Sequence, residues 1–187
     1  GVADAAALQW LDVPPASAVA AARAGLLALG AIDEAGRVTD HGRRLGRLPV
    51  APRIGHMLLV GAARGQAADA ALLAVLVEER GLGGNSTDIE ERLRRARGDR
   101  SPRARLAGRW AELAMRAQTD TGELPLPHAL LLAEAYPERV ARRRRAAGKS
   151  DAMVDYLMAN GRGVQLEASD PLAQQEWLAV ADAGGAG

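Results

Sequence analysis

Thr39-Asp-His-Gly-Arg-Arg-Leu-Gly-Arg-Leu-Pro-Val-Ala-Pro-Arg-Ile-Gly-His-Met-Leu-Leu59 reads as helix, sharp turn, helix. Thr39 has the hydroxyl that caps a first helix, and Leu45 and Leu48 stand three apart on one face of it. Pro49 disfavours the helical state in the residue before it, so the first helix is expected to end near Leu48. Pro52 suits the first position of a second helix, where its fixed φ is already correct and its missing N–H costs nothing. Ile54, Met57, Leu58, Gly61 and Ala62 then recur at helical spacing and define one apolar stripe. One small domain closes at this joint and another opens.

Upstream of the joint, Ala3 to Leu11 is expected to form a short helix with Leu8 and Leu11 inward, broken by Asp12-Val-Pro-Pro15. An Ala-rich helix then ends at Gly30, a natural C′ residue. Ala31-Ile32 and Arg37-Val38 flank the turn Asp33-Glu-Ala-Gly36 and predict a two-strand wing in which Ile32 meets Val38. Downstream, Ala67 to Arg80 is nearly continuously apolar and is expected to be the central helix. Leu82 to Ser86 is a glycine loop, and Thr87-Asp-Ile-Glu90 fits a capping box opening a helix with Ile89, Leu93 and Ala96 on its apolar face. Ser101-Pro102 starts the next helix, with Leu106, Trp110, Leu113, Ala114 and Ala117 on one face. Arg105, Arg109 and Arg116 lie on another, where Glu112 is placed to pair with Arg116. A last helix runs from Pro127 to Tyr136. The period then changes: Asp155 to Ala159, Val164 to Glu167 and Glu176 to Ala181 read as a three-stranded meander, either the opening of a larger β domain or a sheet leaning on the helices.

The 187 residues are 48% hydrophobic with a net charge of +1. That composition predicts a mostly helical chain with a real core, and affinity for nucleic acid would have to come from local arginine clusters. Cysteine is absent, which excludes disulfides and thiolate metal sites and fits a cytoplasmic protein. No apolar run is long enough to span a bilayer, and Gly1 in place of methionine reads as a cut edge. The three histidines are far apart in sequence, so no metal site is expected. Asp69, Glu78, Glu79 and Glu134 show no pairing that suggests acid/base chemistry.

Leu11-Asp-Val-Pro-Pro15, Leu29-Gly-Ala-Ile-Asp33, Val38-Thr-Asp-His-Gly-Arg-Arg-Leu45 and Leu48-Pro-Val-Ala-Pro-Arg53 follow one another as in the region after the motor domains of DEAH/RHA-type RNA helicases. Ala135-Tyr-Pro-Glu-Arg-Val-Ala-Arg-Arg-Arg144, Tyr156-Leu-Met-Ala-Asn-Gly-Arg-Gly163 and Glu176-Trp-Leu-Ala-Val-Ala-Asp182 resemble the bacterial HrpB-type branch. The resemblance covers nearly the whole chain. It implies a degenerate winged helix over residues 1–50, a helical ratchet or helicase-associated domain over 51–137, and over 138–187 a basic linker with the first strands of an OB-like domain. It also implies that this region closes one side of the RNA channel, that ATP and Mg belong to two RecA-like motor domains elsewhere in the polypeptide, and that these modules are non-catalytic. Gly148-Lys149-Ser150 resembles the end of a P-loop, but Arg143 stands where the loop's first glycine should be and no strand precedes it.

The expected RNA contacts are weak, backbone-directed and favour single strands. Arg139, Arg142, Arg143, Arg144 and Arg145, with only Glu138 nearby, form the least compensated positive stretch. Arg162 in the Asn160-Gly-Arg-Gly163 loop joins them, with the N–H groups of Gly161 and Gly163 as further donors to phosphate. Arg92 and Arg95 form a second cluster beside the glycine loop. Two other functions compete: a winged-helix DNA-binding regulator, against which the short glycine-containing helix after Thr39 argues, and a non-catalytic protein-interaction adaptor.

Overall fold

The computed structural model describes residues 9–79, 82–144 and 152–182. They fall into two compact units divided between His56 and Met57.

In the first unit, α1 (Ala16–Ala28) ends as its composition predicts. Gly30 takes a φ of +64°, and the amides of Gly30 and Ala31 return to the carbonyls of Leu27 and Leu26, a Schellman closure. The wing is reduced to a single antiparallel bridge between Ile32 and Val38, with its turn closed by Asp33, which accepts from both the amide and the guanidinium of Arg37. Thr39 caps α2 (Asp40–Leu45): its Oγ1 accepts from the Gly42 amide at 3.0 Å and donates to the Gly30 carbonyl at 2.6 Å. The helix stops three residues earlier than expected, at Leu45. Two successive turns, Arg47 to Arg44 and Leu48 to Leu45, still bring Leu48 beside Leu45 in the core. Of the expected first helix, residues 1–8 lie outside the described set. Gln9 onward is not helical: residues 11 and 12 form a bend, Pro14 disfavours the helical state at Val13, and Leu11 is fully exposed instead of inward.

α3 (Pro52–Ala63) begins at its proline, and Ile54, Met57, Leu58 and Ala62 are all buried. In the second unit, α4 (Ala67–Glu78) buries Ala67 and every residue from Ala70 to Leu76, so it is apolar all round. Its neighbours approach closely through small residues. A Cβ on Gly61 would come within 2.5 Å of Ala70 Cβ, and the deepest residues of α6 (Pro102–Ala117) are Ala107, Ala111 and Ala114, with the larger Leu106, Trp110 and Leu113 flanking them half-buried. Ser101 caps α6 through the Ala104 amide. α7 (His128–Ala135) buries Leu131, Leu132 and Ala135.

α5 (Ile89–Ala96) starts one residue away from the expected cap. Asp88, not Thr87, accepts from the Glu90 amide at 2.9 Å, while Thr87 Oγ1 donates to Asp170 Oδ2 at 2.6 Å. Glu91, not Glu90, reaches back, to the Ser86 hydroxyl. Asp88→Ala should therefore cost about 1 kcal/mol, as lost N-caps do. Thr87→Ala should cost under about 0.5 kcal/mol, since its bond is exposed. Urea midpoints for the two variants check the order, and a larger loss from Thr87→Ala would contradict it.

The sheet departs most from expectation. Val140–Arg143, placed in the basic linker by its arginines, is strand β1 and sits inside a four-stranded antiparallel sheet of order β3-β2-β1-β4. Its partners are β2 (Met153–Met158) and β4 (Trp177–Ala179), and β3 (Gly163–Glu167) is the far edge. Ala141 opposes Met158 and Leu178, and with Tyr156 it forms a buried cluster packed by Val154, Val164 and Leu166. Tyr156 donates to the carbonyls of Leu172 and Gln175, which fastens the connection before β4.

Candidate nucleic-acid interface

The strand explains why the arginine run is not one uniform patch. Arg139 closes a short 3-10 turn after α7. Its Nη1 donates to the Ala181 carbonyl at 2.6 Å, and its guanidinium lies 4.3 Å from the centre of the Tyr136 ring, so it clasps the end of the sheet. Arg142 pairs with Glu176 at 3.1 Å and stands 5.2 Å from the Trp177 ring centre. The expectation that Glu138 is their only acidic neighbour is therefore corrected: the fold brings Glu176 to Arg142 from 34 residues away. Arg143 and Arg144 are exposed, and among the described residues no ion pair involves either of them. Arg145 lies outside the described residues, as does Gly148-Lys149-Ser150.

Arg162 sits at the tip of the β2–β3 hairpin, where Gly161 adopts a φ of +84°. The tip satisfies its own amides. Gly161 N–H bonds to the Met158 carbonyl at 2.9 Å and Arg162 N–H to Asn160 Oδ1 at 3.0 Å, so the Gly161 donor expected to face phosphate is already spent within the turn. The Arg162 side chain remains exposed and makes no ion pair among the described residues. It lines a cleft of about 760 Å³ together with Arg144, Asp155, Gln165 and Thr87.

The second cluster is structural in its contacts. Arg92 Nη2 donates to the carbonyls of Leu76 and Leu82 at 3.1 and 3.3 Å, tying the end of α4 to the loop that follows. It shares a 620 Å³ cleft with Arg139 and Tyr136. Arg95 is paired with Glu91 one turn earlier on α5. On α6, Arg109 and Arg116 are exposed, and the expected Glu112–Arg116 pair does not form among the described residues.

Tertiary structure also assembles histidine contacts that spacing does not reveal. His41 Nε2 and His56 Nδ1 are 2.9 Å apart, with the rings edge-to-face. His128 on α7 bonds Glu90 at 2.8 Å and faces Asp69, which pairs with Arg97. No group of three or more metal-ligating side chains occurs among the described residues. Burial pushes the His41 imidazole below its ordinary value of 6.5, helped by neighbouring His56 and Arg44. The folded state thus favours neutral His41, and the stability this confers is present above pH 6.5 and lost as pH falls below it. Between pH 7 and 5 the first unit should lose stability, and His41→Gln should flatten that dependence. Parallel pH curves for the two proteins would contradict the coupling.

A reduced wing beside a short capped helix, a bundle around one apolar helix and a small antiparallel sheet that includes an arginine-rich strand make up the described residues. Residues 24–50 match the family described as helicase associated domain (HA2), winged-helix. Over 95% of its length the chain is 35% identical to the ATP-dependent RNA helicase HrpB of Escherichia coli strain K12. Two crystal structures of Escherichia coli HrpB, described as a DExH-box NTPase and as a DEAH/RHA helicase, superpose with TM-scores of 0.71 at 34% and 32% identity, over 94% and 95% of the chain. The chain spans about a fifth of the length of these relatives. Its resemblance is to the HrpB-type accessory region, as the sequence motifs imply. No helix among the described residues is long and apolar enough to cross a membrane.

Proposed function

We propose that this chain is the accessory region of an ATP-dependent RNA helicase. In this reading it closes one side of the RNA channel beside RecA-like motor domains of the same polypeptide, and it touches single-stranded RNA weakly and without sequence preference. The observation that carries the reading is the near-complete match of the chain to one portion of HrpB, joined to exposed arginines that make no ion pair among the described residues, at the end of β1 and on the adjacent hairpin. Arg144 and Arg162, which line one cleft, are the backbone contacts, while Arg143, opposite Tyr156 in the register, lies on the other face of the sheet. Arg139, Arg142, Arg92 and Arg95 hold the frame around them. α1 supports the partner assignment: it buries none of its 13 residues and leaves Leu27 44% exposed, as expected of a helix that docks on another domain. The DNA-regulator reading is disfavoured because α2 has only six residues and its Gly42 is pressed against the Ala31 carbonyl.

ATP and Mg act in the motor domains, so the chain alone should hydrolyse no ATP with or without RNA. It should shift single-stranded RNA in a salt-dependent manner and show no preference among sequences. ATP hydrolysis by the pure chain, or tight binding confined to one duplex DNA sequence, would overturn the reading.

A further inference from the structure

The register of the sheet aligns Gly163, Leu157, Arg142 and Trp177 in one row across all four strands, on the face opposite the buried Ala141–Tyr156–Met158 cluster. Trp177 is 56% exposed there, Leu157 43%, and Met153 two rows away on the same face 37%. A tryptophan that served only the fold would normally be mostly covered. The backbone bond from the Arg144 amide to the Asp155 carbonyl places Arg144 at the next position on this face after Arg142. Glu176, just before Trp177, pairs with Arg142, Asp155 accepts from the Gln165 amide at 2.8 Å, and Glu167, opposite Met153, accepts from the Ser169 hydroxyl at 3.5 Å, while Arg144 has no ion pair among the described residues.

We infer that Trp177 is a base-stacking platform for single-stranded RNA, with Arg142 beside the ring and Arg144 taking the adjoining phosphate. This rests on the RNA reading proposed above and adds a base contact to its backbone contacts. An indole flanked by a guanidinium presents π surface that any base can stack on, which gives affinity without sequence preference. A protein partner is the poorer fit. The apolar groups on this face are isolated among charged ones, whereas a stable protein interface needs about 800 Å² on each side. Gly163 at the end of the row has no Cβ to obstruct a strand lying across it.

The test compares binding of a short oligouridylate and of an abasic ribose-phosphate strand of equal length by fluorescence anisotropy, using the whole chain. Wild type should bind the oligouridylate more tightly than the abasic strand. Trp177→Ala should weaken oligouridylate binding about tenfold, leave the abasic strand and the salt slope unchanged, and so erase the difference. Trp177→Phe should restore most of it. If Trp177→Ala leaves oligouridylate binding unchanged while both strands still bind, the platform is refuted, the face is ordinary surface or a protein contact, and the backbone reading stands. If wild type binds neither strand, platform and RNA reading fall together.

Discussion

Gly42→Ala is expected to unfold the winged-helix unit, at a cost of about 3 kcal/mol or more. A Cβ at this position would lie 2.0 Å from the Ala31 carbonyl oxygen, 2.9 Å from its carbon and 3.0 Å from Val38 Cγ1. None of these can yield easily. The Ala31 carbonyl accepts the Thr39 amide at 3.0 Å, and Thr39 in turn caps α2, so moving α2 away breaks the bond that starts it. The neighbouring Gly46 offers a control, since a Cβ there meets nothing closer than 3.6 Å. Gly46→Ala should change stability by less than about 1 kcal/mol. Hydrogen exchange of the Gly42, Arg43 and Gly46 amides reports the outcome: loss of protection in Gly42→Ala alone is expected, and retained protection would contradict the close approach.

Leu73→Ala should be the most damaging single truncation of the second unit, at about 3 kcal/mol within a usual range of about 2–5. Leu73 is fully buried at the middle of α4, a helix with no free side onto which the cavity could open. Leu130 provides the contrast. It stands beside Leu131 and Leu132 in α7 but is 52% exposed, while those two are buried. Leu130→Ala should stay within about 0.5 kcal/mol. Urea denaturation followed by Trp110 fluorescence on α6 should give a large drop in midpoint for Leu73→Ala at unchanged slope. Equal midpoints for the two variants would contradict the central place of α4.

What was legible in the sequence was whatever local chemistry decides. Thr39 capping α2, Pro52 opening α3, Gly30 closing α1 and Ser101-Pro102 opening α6 all depend on atoms a few residues apart, and all occur as read. The apolar run in α4 sufficed because only a buried helix tolerates apolar residues on every face. Strand β1 was hidden because just one of its four residues, Ala141, is fully buried, and the neighbouring arginines dominate its composition. Its pairing is settled by Met158 and Leu178, far along the chain. The misplaced cap has the same origin: Thr87 and Asp88 are both favoured capping residues, Asp the more so, and Asp170 draws Thr87 away. His41 meeting His56, Glu176 neutralising Arg142 and the exposure of Trp177 likewise depend on tertiary packing, so the arginine cluster could be found from sequence but not divided into structural and free members.

The most direct measurement of the account is the salt dependence of single-stranded RNA binding by the whole chain, compared with Arg144→Ala/Arg162→Ala, between about 50 and 200 mM salt. Each phosphate contact contributes about 0.7 to the slope of log affinity against log salt, so losing two should flatten it by about 1.4. Both side chains are exposed and without ion pairs among the described residues, so the fold should be unaffected. A flatter slope with weaker binding is predicted. An unchanged slope and affinity would contradict the placement of the RNA backbone beside the end of β1 and the β2–β3 hairpin.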